Sequence, residues 1–502
     1  MGAPTLSPNG DTALTGERPV WLMPLVALGA VKLVVWGLLG RRYGFHRDEL
    51  YYLVGGRHLE LGYVDHPPLV PWMAGAVEQL FGPSLAALRL LPALAGAAVV
   101  VLAGVLAARF GGGRRAQILA GGASLLCPFH LMAQNLFQTV PFDQLIWLTL
   151  AVLLAGMIQG RSSRRVWLVF GAVAGLGLLT KYTLLAFGTA VVGALLSTSW
   201  RRELARPWIY LGGALALLIV LPNLVWQAGH GWPTLEFLAN NNATERFPPF
   251  AFLGLTLVFL GPFALPQFLY GVWFWLSPAR RRFRLLGAAT ALTFAVFLLL
   301  ESKPYYAAPL YPVVLAAGAV ALERRLATLD GWRRAPAYLL LGNLLLVPVF
   351  LPILPRATYA ELHDDFPHRE FGEMFGWREL VDAVGEAYRD LPDETQRDVA
   401  LLASSYGSAA ALDLWGESWG LPAASSGHNS YFFWSRGRAV DPAIAIGFRR
   451  DWLESIFHEV TPLGVVDTRL GIDNEEAGRP FYLVRGARLD RDAIWNELRF
   501  FR

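Results

Sequence analysis

The stretch Tyr43 to Pro68, YGFHRDELYYLVGGRHLELGYVDHPP, carries the richest polar cluster of the chain. An adjacent acidic pair, Asp48 and Glu49, is followed by a Tyr-rich turn and then by Asp65-His66-Pro67-Pro68. A carboxylate can accept a proton from an attacking hydroxyl or amine, which is the work of a general base. Neighbours on a helix point about 100° apart, so Asp48 and Glu49 cannot face one ligand in the same way. One should work in a site; the other should hold the loop or bind a second substrate group. Asp48 could instead cap a helix or pair with Arg47.

Further polar groups recur at the ends of apolar stretches. Asp143 lies in QTVPFDQ, where Pro141 suits a first helical turn, so the carboxylate either serves the helix start or lines a cavity shared with Asp48. Lys181 in LLTKYT and Lys303 in ESKPYYAAPLYP either snorkel at helix ends or together hold a phosphate. Tyr305 and Tyr306 could stack on a sugar or a lipid stem, or sit as interface aromatics. His66 is followed by two prolines that fix the chain. His46, His66 and the carboxylates match no standard metal-ligand spacing, and they specify no metal, although a divalent ion is compatible with them.

These groups must be positioned by something, and composition says what. The chain has 502 residues, 54% hydrophobic and 16% charged, against about 25% charged in an average soluble protein. It reads as an α-helical polytopic membrane protein. The net charge of +4 suggests nucleic acid at first sight, but the arginines are grouped in short loops, which points away from it. Cys127 is the single cysteine, so no intramolecular disulfide forms. The Arg, Ala, Leu and Gly content is that of a GC-rich bacterial genome.

Residues 1–19 are polar and read as a disordered cytoplasmic tail. Val20 to Gly40 matches a bilayer core of ~30 Å and reads as a retained helix, not a signal peptide. Apolar segments follow at 84–108, 116–136, 140–160, 166–180, 182–199, 207–226, 250–276, 285–301, 305–322 and 335–354, giving about eleven transmembrane helices. Arginine clusters at 109–115, 161–165, 201–206, 280–284 and 324–334 occupy every second loop, which makes those loops cytoplasmic by the positive-inside bias. The alternation requires 166–199 to be two spans. Loop 41–83 then faces out, and Arg41, Arg42 and Arg47 are exceptions that need a local reason.

After Pro355 the composition turns mixed and polar. Residues 356–502 read as an extracytoplasmic α/β domain, with helix-like runs at Trp377 to Arg389 and Ile444 to Phe457, and strand-like runs at Val399 to Ser404 and Phe481 to Val484. No internal repeat and no glycine-rich phosphate loop after a strand is seen.

HRDELYYL, YVDHPPL, QTVPFDQ, LLTKYT and SKPYYAAPLYP together resemble the polyprenyl-phosphate-sugar-dependent glycosyltransferases of the GT-C type. Within these, the similarity is to the bacterial protein O-mannosyltransferase and aminoarabinose transferase superfamily (glycosyltransferase families 39 and 83). It covers residues 20–355, the transmembrane glycosyltransferase domain; SSGHNSYFFW, residues 425–434, also resembles a segment of bacterial members. The resemblance implies a polyprenyl-phosphate sugar donor and an inverting transfer on the outer face of the bacterial plasma membrane. It implies Asp48 at the catalytic centre and Lys181 and Lys303 at the donor phosphate. Glu49, His66, Asp143, Tyr305 and Tyr306 are then candidates for substrate binding. The acceptor, whether lipid, glycan or protein, is not specified, and neither is the sugar.

Two other classes fit the same outline: a transporter or flippase of a lipid-linked sugar, and a scaffold carrying an exterior binding domain. A transporter should carry charge deep within several spans, whereas here the polar groups crowd one face, which favours the enzyme.

Overall fold

The computed structural model describes residues 18–160, 163–244, 246–366, 368–468, 471–472, 474 and 477–502. Nearly all of the expected amino-terminal tail lies outside them.

Each of the eleven apolar segments is helical. They comprise α1 (Leu22–Leu39), α4 (Leu85–Arg109), α5 (Arg114–Leu125) with α6 (Pro128–Ala133), α7 (Thr139–Ile158), α8 (Val166–Leu178), α9 (Leu184–Ser197) and α10 (Pro207–Gly229). After α11 (Pro233–Thr244) come α12 (Pro249–Leu260) with α13 (Leu265–Leu276), α14 (Arg284–Leu299), α15 (Tyr311–Arg325) and the short pair α16 (Ala335–Leu341) and α17 (Val347–Phe350). Among the described residues six helices are long and apolar enough to cross a bilayer alone, and eight if each sharply bent pair counts as one span. The sequence count of eleven therefore includes short and broken segments. Pro128 divides the 116–136 segment, and at Gly261-Pro262 the chain turns by 87° with Gly261 at φ +84°. The 166–199 stretch is two helices, as the arginine alternation requires.

The arginine-rich loops gather at one end. Glu323 accepts from the backbone N–H of Gly113 at 2.7 Å, Arg324 donates to Gly111 O at 3.3 Å, and Gln159 donates to Arg109 O. Glu203 lies 3.9 Å from Arg164 and 3.4 Å from Arg206, and the rings of Phe110 and Phe283 are 5.0 Å apart.

At the opposite end loop 41–83 forms α2 (Arg47–Arg57) and α3 (Leu69–Phe81). The two cross so closely that a Cβ on Gly56 would lie 2.5 Å from Gly75 N. Residues 49–56 are all buried, because α2 is packed on both sides. Tyr52 and Leu53 join Val70 of α3 and Phe137 and Phe142 of the bundle. Leu50, Tyr51 and Val54 join the core of the carboxy-terminal domain with Trp377, Leu401 and Ala410.

That domain holds a five-stranded sheet in the order β2-β1-β3-β5-β4. Its strands are β1 (Ala400–Ala403), β2 (Ala424–Ser426), β3 (Ala443–Ile446), β4 (Phe457–Val465) and β5 (Pro480–Ala487). β1 pairs parallel with β2 and β3, and β5 runs antiparallel between β3 and β4. The run Trp377–Arg389 is a helix, as read from the sequence. The run Ile444 to Phe457 is not one helix: its start belongs to β3, all four residues of which are buried, and Gly447 at φ +78° separates it from a helix at Arg450–Ile456. A short, fully buried strand has no alternation to distinguish it from a helix.

Candidate active site

Helix α2 begins with a reciprocal cap. His46 Nδ1 accepts from Asp48 N at 3.2 Å, and Glu49 Oε2 accepts from His46 N at 2.8 Å. This cap satisfies two of the donors that a helix start leaves unpaired. It also fixes the directions of the two carboxylates.

Glu49 turns inward and is fully buried. It receives Arg89 through Nε and Nη2, both at 2.8 Å, and Phe137 N at 3.0 Å. Both side chains of the Glu49–Arg89 pair have no solvent exposure. Of the two roles the sequence left open for the second carboxylate, holding the loop or binding a substrate group, the geometry of Glu49 fits the first. Its four donors saturate the carboxylate, and it pins the loop. Arg89 also donates to Gly44 O at 2.7 Å and Arg42 O at 3.2 Å, so one buried side chain of α4 holds the whole entry to α2. This entry is tight, with Tyr43 at φ +68° and Gly44 at φ +144°.

Asp48 turns outward, 27% exposed. Oδ1 accepts from Tyr406 Oη at 2.8 Å and Oδ2 from Gln138 Nε2 at 3.1 Å. Arg47 Nε lies 3.8 Å away. Two neutral donors and a nearby cation hold the side chain in one orientation at the first turn of α2. The result is a positioned, accessible carboxylate.

Lys181 lies in the turn between α8 and α9, its Nζ 4.7 Å from the ring centre of Tyr305 and 5.0 Å from that of Tyr306. Both tyrosine faces thus hold a cation. Burial pulls the Lys181 ammonium down to about 8; Asp143 and Asp48 act against that, and the charge of Lys303 adds to it. Lys181, Lys303, Asp143 and Asp48 are therefore one electrostatic group.

Asp143 is buried inside α7, where Oδ1 accepts from Trp147 Nε1 at 2.7 Å and Oδ2 from Thr183 Oγ1 at 3.2 Å. It secures the Lys181 turn and caps no helix. His66 is buried too. Its ring lies 4.9 Å from Tyr52, 4.9 Å from Tyr63 and 5.5 Å from Tyr51, with Nε2 3.7 Å from Asp65 Oδ1.

Sequence reading missed the carboxy-terminal contribution. Tyr406 starts a helix of the sheet domain, and its ring stacks on Tyr51 at 4.6 Å. The 425–434 segment holds both: His428 Nδ1 accepts from Tyr406 N at 3.4 Å, and Ser430 N donates to Tyr51 Oη at 3.0 Å. Glu370 pairs with His46 Nε2 at 3.3 Å. Burial works against the charged form of each. Their close, oppositely charged contact outweighs it, raising His46 and holding Glu370 at about 2. Among the described residues no group of three His, Cys, Asp or Glu side chains is placed to hold a metal ion.

Residues 65–226 match a family model described as dolichyl-phosphate-mannose-protein mannosyltransferase. The chain is 28% identical over 391 residues to the undecaprenyl phosphate-alpha-4-amino-4-deoxy-L-arabinose arabinosyl transferase of Pseudomonas paraeruginosa, covering 72% of this chain and 69% of that protein. It is 29% identical over 193 residues to the lipid A galacturonosyltransferase RgtD of Rhizobium johnstonii, covering 38% of this chain and 40% of that one. Its fold matches the crystal structure of ArnT from Cupriavidus metallidurans bound to undecaprenyl phosphate, with a TM-score of 0.60 at 16% identity over 91% of this chain and 97% of that one. The chain is thus similar, in its membrane part and in its fold, to membrane glycosyltransferases. Among these, the similarity is to transferases whose names specify lipid-linked or lipid A sugars.

Proposed function

We propose that this protein transfers a sugar from a polyprenyl-phosphate donor to an acceptor, with inversion, at the Asp48 end of the bundle. The observation that carries the reading is the pairing of an outward, hydrogen-bonded Asp48 with Lys181 in its electrostatic reach and Lys303 beside Lys181. The named activities of the relatives point to the same donor class.

In this mechanism the donor tail lies among the apolar helices, and its phosphate meets Lys181 and Lys303. Asp48 takes the proton of the acceptor hydroxyl or amine as that atom bonds to the anomeric carbon. The bond from the anomeric carbon to the phosphate oxygen breaks, and the electron pair leaves with polyprenyl phosphate. Cations that stabilise the growing phosphate charge act on the transition state. The base supplies typically 100- to 10,000-fold, and the capped α2 holds it in place.

On this reading the arginine end lies in the cytoplasm, as the positive-inside bias supports, and the site and the sheet domain face outside the plasma membrane. Purified protein in liposomes, given a polyprenyl-phosphate sugar and acceptor lipids, glycans or peptides, should release polyprenyl phosphate only when an acceptor is glycosylated. Movement of the donor across the bilayer without release would instead establish a flippase.

A further inference from the structure

A second cationic feature lies at the same end of the bundle, outside the site just described. A cleft of about 260 Å³ is lined by Arg41, Arg42, Tyr43, Leu354, Pro355 and Arg356. It joins the chain just after α1 to the chain just after α17. Three of its six walls are arginines and none is acidic. Arg41 and Arg42 are two of the charges that break the positive-inside alternation, so a local cause is needed.

Two of these guanidinium groups are anchored by backbone. Arg42 Nη1 donates to Ile353 O at 2.6 Å and to Pro352 O at 3.4 Å, and Arg356 Nη2 donates to Tyr43 O at 3.1 Å. Carbonyls orient these side chains but do not neutralise them. A guanidinium carries five N–H donors in a rigid fork, so a fork anchored at one nitrogen can still present the others to a phosphate. Three gathered cations repel one another unless an anion joins them. The flanks are apolar and open: Leu38 of α1 is 73% exposed, and Leu345 just before α17 is 75% exposed. A soluble anion has no use for such flanks, whereas acyl chains do.

We propose that this cleft binds the phosphate headgroup of an anionic glycerophospholipid in the surrounding leaflet, its acyl chains lying along α1 and α17. The site is independent of the transferase reading but touches it structurally. Arg89 grips the Arg42 and Gly44 carbonyls together with Glu49, so the lipid-bracing segment runs directly into the cap of α2.

The test is native mass spectrometry of the full chain released from nanodiscs of phosphatidylcholine with a minor fraction of phosphatidylglycerol. The parent should retain phosphatidylglycerol in preference to phosphatidylcholine. Each arginine near the membrane surface is worth ~1 kcal/mol toward an anionic lipid, or about fivefold, so Arg41→Gln should lower that retention about fivefold and Arg41→Gln/Arg356→Gln further. Arg41→Gln leaves the arginine–carbonyl contacts in place, so it reports even if the double variant folds poorly. Arg325→Gln, at the opposite end, should change nothing. Equal retention of the two lipids, no loss in Arg41→Gln, or an equal loss in Arg325→Gln would overturn the site. Displacement of the lipid by excess inorganic phosphate would reassign the cleft to a soluble anion and overturn the lipid assignment.

Discussion

Tyr406 donates its hydroxyl hydrogen to Asp48 Oδ1 at 2.8 Å, across 358 positions of sequence. The sheet domain therefore completes the coordination of a carboxylate that the membrane part supplies. Hydrogen bonds to charged groups contribute roughly 1.5–3 kcal/mol. Tyr406→Phe keeps the ring stacked on Tyr51 and removes only the donor. Turnover should fall about 10- to 100-fold while the melting temperature stays near that of the parent, because only the hydrogen bond that orients Asp48 is lost. A purely structural tyrosine would lower the folded fraction and leave the rate per folded molecule in place.

The acidic pair separates by assay. Asp48→Asn should reduce transfer by at least ~100-fold while the melting temperature stays near that of the parent. Glu49→Gln should do the reverse, since leaving Arg89 buried without its partner charge costs roughly 3–5 kcal/mol. Thermal melts beside transfer rates decide it. A stable but inactive Glu49→Gln beside an active but destabilised Asp48→Asn would exchange the two roles, and loss confined to Asp143→Asn would move the base into α7.

The sequence made the bundle legible because long apolar runs and arginine spacing are one-dimensional signals. It also marked Asp48, Lys181 and Lys303, which stand at the borders of such runs. Two kinds of fact were hidden. The direction of Glu49 depends on Arg89, 40 positions away, although Glu49 three residues after His46 is a capping pattern with an unusual first member. Tyr406 and Glu370 belong to another domain, and no local pattern relates them to α2. The 425–434 run was noticeable in sequence, yet its part in seating Tyr51 and Tyr406 is purely tertiary.

Donor binding should depend on pH through Lys181. Its ammonium is lowered to about 8, chiefly by burial. The charged form, which attracts phosphate, therefore prevails below about pH 8 and is lost above it. Affinity for a polyprenyl phosphate, measured in detergent by calorimetry, should be flat from pH 6.5 to 7.5 and fall as pH rises past about 8. Lys181→Met should bind weakly and without that fall. Parental binding in both Lys181→Met and Lys303→Met would remove the lysines from the phosphate site.

The His46–Glu370 pair gives a separate window. His46 is raised by Glu370 against the pull of burial, so its contribution is full below the unfolded value near 6.5 and is lost as pH rises through the folded value. Glu370 is lowered to about 2, so its contribution is full above 4.5 and is lost as pH falls toward 2. Both conditions hold between pH 4.5 and 6.5. Glu370 is 41% exposed, which limits the pair to about 1 kcal/mol. Glu370→Gln should lower stability most in that window; an equal loss at pH 8.5 would mean that the pair does not titrate as described.

Sidedness is the remaining structural expectation. The arginine loops share one end of the bundle, where Trp21 N also bonds Gln117. The sheet domain sits on α2 at the other end. If arginines mark the cytoplasm, residues 390–396 lie outside. Glu394 is exposed on a short helix at Asp393–Asp398, away from Asp48 and its partners. Glu394→Cys should react with a membrane-impermeant thiol reagent in intact cells, while the buried Cys127 stays silent in the parent. Labelling that appears only after lysis would invert the protein in the membrane and move the donor to the cytoplasmic leaflet.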